Sequence, residues 1–346
     1  MVKIDIKSVS LAHMERAQAR LDSLTKPIGS LGMLEEFAKR LVGIYHDDMP
    51  AIPKKVVFTF AGDHGVCAEG VSAFPAEVTP QMVFNFLRGG AAINVLARHA
   101  GADVVVVDVG VNYEFPVIEG LIRKKVVHGT KNMVLGKAMS QDEAIKSVEI
   151  GIALAHEYKD MGYRIFGTGD MGIGNTTPSA AIASVLTGKS PAQVTGRGTG
   201  IDDIVHKHKI SVIERAIALN KPNALDPIDV LSKVGGAEIG AIAGLCLGAA
   251  QCSIPVVVDG FISTAGALIA YCINPKVAEY LFSGHKSQEV GHIAMLEFMG
   301  LRPILDLDLR LGEGTGGVLA MTLLDSGLKI YREMATFQEA GVSDKE

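Results

Sequence analysis

The sequence predicts an α/β fold: a parallel, Rossmann-like sheet with helices on both faces. Short β-branched runs alternate along the chain with Gly/Ala-rich segments of helical period. The runs are continuously apolar rather than alternating, as in strands buried on both faces. Four of them stop at Asp- and Gly-rich loops, and right-handed crossovers place all such strand ends on one edge of the sheet.

Before the first strand the period is helical. Leu11, Met14, Ala17, Leu21 and Leu24 recur at threes and fours and predict a helix over 10–24. The turn-rich Lys26-Pro27-Ile28-Gly29-Ser30-Leu31-Gly32 breaks it, and a second helix covers 33–45. Strands are expected at 56–60, 104–109, 163–166, Val256–Val258 and 303–307. Gly236, Gly240, Gly244 and Gly248 fall every fourth residue on one helix face, which is expected to pack closely on the sheet rather than on a second subunit. A final amphipathic helix spans 316–335, and the chain after Gln338 is expected to fray.

Composition excludes several classes of function. The chain has 346 residues, 48% of them hydrophobic, with 39 glycines. That rules out a disordered or highly charged tail protein. Its 33 Lys and Arg residues against 38 Asp and Glu, with no basic stripe, argue against a nucleic-acid partner. The most apolar stretch, 239–250, is shorter than the ~20 residues a membrane span needs. The start, Met-Val-Lys-Ile-Asp-Ile-Lys, has no apolar core of a secretory signal. Cys67, Cys246, Cys252 and Cys272 lack C-x-x-C spacing and read as reduced thiols, so a cytoplasmic location is expected.

Polar residues gather where the strands stop: Gly62-Asp63-His64-Gly65, Asp108-Val109-Gly110, Gly167-Thr168-Gly169-Asp170 and Asp259-Gly260. Turn-making and capping account for any one of these aspartates; the set points to a ligand site. The loop 167–178 is the richest. With Thr177 as N-cap and Pro178 in the first helical position, it forms an anion site suited to phosphate. Gly167, Gly169 and Gly172 also match G-x-G-x-x-G, but the following Lys189-Ser190-Pro191-Ala192-Gln193 offers neither strand nor acid, so a dinucleotide is discounted. A second glycine loop, 195–203, precedes a helix carrying Lys207 and Lys209, which serve either a phosphate or a solvated face. No metal site is expected: His64 beside Asp63, and His285 with His292 in the loop 283–292, become candidates only if folding gathers them. No G-x-S-x-G elbow occurs. Glu313, in Arg310-Leu311-Gly312-Glu313-Gly314, is an accessible carboxylate where the last helix begins, and the helix terminus is expected to keep it ionised.

One segment, Val256-Val257-Val258-Asp259-Gly260, resembles the diphosphate-ribose loop of magnesium-dependent phosphoribosyltransferases, with Gly260 where that loop has its second acid. A resemblance over nearly the whole chain is more specific. Lys26-Pro27-Ile28-Gly29-Ser30-Leu31-Gly32, Gly62-Asp63-His64-Gly65-Val66, Gly89-Gly90-Ala91-Ala92-Ile93-Asn94, Met171-Gly172-Ile173-Gly174-Asn175-Thr176-Thr177, Gly198-Thr199-Gly200 and Arg310-Leu311-Gly312-Glu313-Gly314 resemble, in order, the nicotinate-nucleotide:dimethylbenzimidazole phosphoribosyltransferase family of cobalamin lower-ligand assembly.

The resemblance implies transfer of phosphoribose from nicotinate mononucleotide to 5,6-dimethylbenzimidazole, giving α-ribazole 5′-phosphate and nicotinate with no cofactor. It implies Glu313 as general base. Asp170, Gly172, Lys209 and Ser287 would meet phosphate and ribose, and Gln81, Met171 and Leu311 the aromatic base. Asn175, Thr176 and Gly312 fall inside the same motifs. The family often has glutamate where this chain has Asp170. The resemblance also implies a homodimer, a small helical domain from residues 1–25 and 326–346, and a catalytic domain over 26–325. The alternatives are a magnesium-dependent diphosphate-ribose enzyme and a non-catalytic nucleotide sensor.

Overall fold

A computed structural model describes residues 4–343 except Thr199. The strands are β1 (Lys55–Gly62), β2 (Asp103–Gly110), β3 (Leu121–Arg123), β4 (Ile165–Met171), β5 (Val256–Val258), β6 (Leu281–His285) and β7 (Pro303–Leu305). The helices are α1 (Leu11–Ser23), α2 (Met33–Tyr45), α3 (Val78–Leu87), α4 (Ala92–Ala100), α5 (Gln141–Asp160), α6 (Thr176–Thr187) and α7 (Pro191–Val194). They continue with α8 (Asp203–Asn220), α9 (Pro227–Val234), α10 (Ala237–Gln251), α11 (Phe261–Ile273), α12 (Gly291–Met299), α13 (Thr315–Glu333) and α14 (Phe337–Ala340).

The strands form one seven-stranded sheet in the order β3-β2-β1-β4-β5-β6-β7, and every pair is parallel. The expected α/β architecture is therefore present. Winding reverses between β1 and β4, which opens a crevice at their carboxyl ends. Strand β1 shows how both faces are covered. Phe58 meets Tyr158 of α5 edge-on at 4.8 Å, whereas Thr59 on the opposite face hydrogen-bonds to the backbone that leads into α13. A continuous apolar core runs from Ile6 to Tyr331.

Two strands escaped the sequence reading. β3 is a three-residue edge strand ending in Arg123. β6 reads Leu-Phe-Ser-Gly-His, without β-branched residues, so His285 ends a buried strand rather than lying in a loop. The last strand stops at Leu305, earlier than expected. The chain after Gln338 is not all frayed: α14 is held by a Thr336/Glu339 capping box, although residues 344–346 lie outside the description.

The glycine ridge of α10 has a different partner from the one expected. It meets helix α5, not the sheet. A Cβ at Gly244 would sit 1.9 Å from Val148 O, and one at Gly151 of α5 would sit 2.0 Å from Ala241 O. Backbone touches backbone there, and no rotamer change relieves an added methyl. Gly244→Ala is expected to cost about 1–3 kcal/mol of stability, read as a lower urea midpoint; an unchanged midpoint would show that the helices slide apart freely.

The chain ends meet. α1 and α2 pack together and α2 packs on α13, while Leu24 and Thr336 form an antiparallel bridge. The break after α1 is fixed by a buried pair, Lys26 Nζ to Glu35 Oε1 at 2.9 Å, and Glu35 also accepts the Leu31 N–H. Among the described residues no helix is long and apolar enough to cross a membrane.

Candidate active site

A cleft of about 620 Å³ opens over the carboxyl ends of the central strands. One corner of it is built for an anion. Helix α6 starts earlier than expected. Asn175 is its N-cap, and Pro178 stands inside the first turn. The early start is possible because Gly174 takes a φ of +84° and Asn175 turns its side chain to Asp170 Oδ2 at 2.9 Å instead of capping. The helix dipole thus points at Gly172–Thr176. Of the two α8 lysines, Lys207 is exposed and Lys209 is not on a solvated face. It is buried, 1% exposed, with Nζ 2.6 Å from Thr176 Oγ1. Burial lowers its pKa to about 8, against the opposing pull of Glu289 and Cys67. Glu289 accepts the Gly198 N–H at 2.8 Å and so holds the second glycine loop beside this corner; Thr199 of that loop lies outside the described residues.

Glu313 lines the same cleft. It takes a left-handed φ of +64°, and its carbonyl accepts the Thr59 hydroxyl at 3.0 Å. Gly169 permits this crossing, since a Cβ there would sit 2.2 Å from Glu313 O. The carboxylate accepts the Ile93 N–H at 3.1 Å, in the first turn of α4. A helix terminus therefore does support Glu313, but it belongs to α4 rather than to the following α13. Burial raises the Glu313 pKa; the Ile93 N–H opposes this and Asp259 adds to it. The Glu313 pKa therefore lies above its ordinary value, whereas a helix terminus is expected from the sequence to keep the group ionised.

The other carboxylates at the strand ends have distinct tasks. Asp170 is buried, and burial, reinforced by Asp259, raises its pKa well above the ordinary range, with Asn175 opposing. Asp259 is occupied by backbone: it accepts Gly314 N–H at 3.1 Å and Gly317 N–H at 2.8 Å. It pins the start of α13, is fully buried and does not line the cleft. Asp63 accepts the Asn112 N–H at 2.8 Å, and Asp108 accepts the Val111 N–H at 2.9 Å; both act as loop braces. His64 pairs with Glu238 at 2.7 Å, fully buried. Burial alone would lower the His64 pKa, but Glu238 and Asp63 raise it on balance. The pair underlies Gly172, where a Cβ would meet Gly62 O at 2.2 Å and His64 Nε2 at 3.3 Å.

Of the residues singled out from sequence, Asp170, Met171, Gly172, Asn175, Thr176, Ser287, Leu311, Gly312 and Glu313 line the cleft together. Lys209 stands behind Thr176 rather than on the wall. Gln81 is exposed on α3 and is not on the wall, although its neighbours Val78 and Met82 are. The sequence reading missed the apolar wall of Val71, Phe74, Val78 and Met82; the four-residue spacing of the last three was a usable signal. It also missed Glu289 and the lining role of His285. No group of three or more His, Cys, Asp or Glu suited to a metal occurs among the described residues.

A family model described as Phosphoribosyltransferase matches residues 6–342. A nicotinate-nucleotide–dimethylbenzimidazole phosphoribosyltransferase of Geotalea uraniireducens is 61% identical over 341 residues, covering 99% of this chain and 97% of the relative. The protein of the same name from Geobacter sulfurreducens is 62% identical, covering 96% of this chain and 94% of its own. A crystal structure of CobT from Thermus thermophilus superposes with a TM-score of 0.93 at 47% identity, covering 96% of this chain and all of that one. The matches run through the residues of the cleft, and the chain belongs to the nicotinate-nucleotide–dimethylbenzimidazole phosphoribosyltransferase family.

Proposed function

We propose that the protein transfers phosphoribose from nicotinate mononucleotide to 5,6-dimethylbenzimidazole, giving α-ribazole 5′-phosphate and nicotinate. The observation that carries this is Glu313, a buried carboxylate of raised pKa, lining the same cleft as a lysine-backed anion corner. The corner takes the 5′-phosphate through Gly172, Thr176, Lys209 and Ser287. The apolar wall with Met171 and Leu311 takes the flat bases.

The leaving nitrogen of nicotinate mononucleotide is already cationic and departs neutral, so it needs no acid. Dimethylbenzimidazole attacks the anomeric carbon through one ring nitrogen, opposite the leaving group, and inverts the centre from β to α. Its other N–H becomes acidic as charge develops, and Glu313 takes that proton. The magnesium-dependent alternative needs the Asp259 carboxylate at the substrate, and Asp259 is fully buried, turned to the backbone of the α13 start and not on the cleft wall. A sensor would leave Glu313 without a task. We also infer a homodimer and a helical unit from the two chain ends, testable by sedimentation, and a cytoplasmic site of action.

The test is nicotinate release, followed by chromatography, with and without dimethylbenzimidazole. Base-dependent release with a new α-ribazole phosphate peak supports transfer. Release without the base means nucleosidase chemistry, and no release despite nucleotide binding means a sensor.

The pH profile of kcat/KM follows from Glu313 and Lys209. The base must be ionised, and the Glu313 pKa is raised above its ordinary 4.5. Activity therefore falls on the acid side at a pH above that ordinary value. Lys209 must be charged to hold phosphate, and its pKa is about 8. Activity therefore also falls as the pH rises past about 8. A flat profile across both regions would sink this assignment of charges.

A further inference from the structure

His285 has no task in the mechanism above, yet it faces the cleft. It ends β6, is 1% exposed, and lines the same wall as Gly260 and Ser287. Glycines clear the space for its ring: a Cβ at Gly316 would sit 2.0 Å from Cδ2, and one at Gly260 would sit 3.1 Å from Nε2. Neither ring nitrogen has a hydrogen-bond partner among the described residues. Nε2 stands 3.6 Å from Asp259 Oδ1, beyond hydrogen-bond length, and that oxygen already accepts the Gly317 N–H at 2.8 Å.

The neighbouring His292 gives the contrast. It is equally buried, but its Nδ1 accepts the Ser287 N–H at 2.9 Å and its Nε2 meets the Thr264 hydroxyl at 2.9 Å. Burial pushes its pKa down to about 3, so it is a neutral ring that accepts at Nδ1 and donates from Nε2. His292 is a finished structural histidine. His285 is an unfinished one, and a buried imidazole left unpaired is costly.

We propose that His285 reads a hydroxyl of the ribose in the bound nucleotide. The sugar has to span from the anion corner to the anomeric carbon beside Glu313, and His285 lines the cleft that contains both ends. An anionic group is disfavoured at this point because the Asp259 carboxylate is 3.6 Å away. A neutral hydroxyl both donates and accepts, so it can pair with one ring nitrogen in either tautomer. The inference rests on the phosphoribosyl reading only in taking the ligand to be a ribonucleotide.

The test is calorimetric affinity of the wild type, His285→Asn and His285→Phe for nicotinate mononucleotide and its 2′-deoxy and 3′-deoxy analogues, with melting curves alongside. The wild type is expected to bind the ribonucleotide at least about tenfold more tightly than one of the analogues. His285→Phe keeps a ring but has no donor or acceptor, and should shrink that preference to about twofold or less. His285→Asn keeps a polar group and should retain part of it; this variant decides the matter if the Phe form melts early. An unchanged preference, an equal loss for all three ligands, or a wild type indifferent to the hydroxyls would each overturn the proposal and leave His285 a packing residue. Nicotinate release in the separate transfer assay keeps the two readings apart. Transfer with unchanged ribose preference sinks only the role of His285. The predicted preference without transfer sinks only the reaction.

Discussion

Glu313→Gln is expected to lower kcat by about 10²–10⁴-fold, with little change in KM for nicotinate mononucleotide. The substitution isolates the proton. Glutamine has nearly the same shape, its carbonyl oxygen can still accept the Ile93 N–H, and the backbone at 313 keeps its φ of +64° and its bond from Thr59. The Lys209–Thr176 contact of the anion corner does not involve Glu313. What is lost is the capacity to take the N–H proton of the attacking base as positive charge develops, so the deficit belongs in kcat rather than in nucleotide binding. Because burial already disfavours charge on Glu313, the neutral variant should melt no lower than the wild type. Near-wild-type turnover would remove Glu313 from the chemistry. A matched fall in melting temperature and nucleotide affinity would make it a structural residue.

The environment of Glu313 also shows how far the sequence could be read. Its glycine neighbours marked it as special, and it does line the cleft. Its supporting donor, Ile93, is 220 positions away, so no local pattern could reveal that α4 rather than α13 supplies the helix terminus. The central strands were legible because unbroken Val and Phe runs have few other uses in a globular domain. β6 was not, since Ser283 and His285 look like loop residues until the sheet buries them. Lys209 was ambiguous for a related reason: a lysine on a charged helix normally faces water, and only packing of α8 on α6 removes it from solvent. Asp259 ran the other way. Its segment resembles a diphosphate-ribose loop, but its surroundings are the chain's own. Gly314 and Gly317 turn their N–H groups to it, the Thr168 hydroxyl accepts its own N–H at 3.1 Å, and His285 stands beside it.

Gly169→Ala is expected to lose about 10²-fold in kcat and about 1–3 kcal/mol of stability, although residue 169 touches no substrate in the proposed reaction. The two glycines of β4 differ in what they hold open. A Cβ at Gly167 would meet side chains only: the Met321 methyl at 2.6 Å, the far end of a flexible chain that can move aside, and Val57 Cγ2 at 3.0 Å. A Cβ at Gly169 would meet Glu313 O at 2.2 Å, Glu313 C at 2.6 Å and Gly314 N at 2.9 Å, all backbone. That backbone has little freedom to retreat, because Thr59 holds the Glu313 carbonyl and Asp259 holds the Gly314 N–H. The methyl must push the loop off the sheet edge by around an ångström, which breaks those bonds and moves the carboxylate off the attacking base. Gly136→Ala is the control, since a Cβ there meets nothing within 4 Å, and it should match the wild type in both readouts. Gly167→Ala should fall between the two in activity. If Gly169→Ala turned over normally, the close crossing of β4 by the Glu313 loop would not be what aims the base.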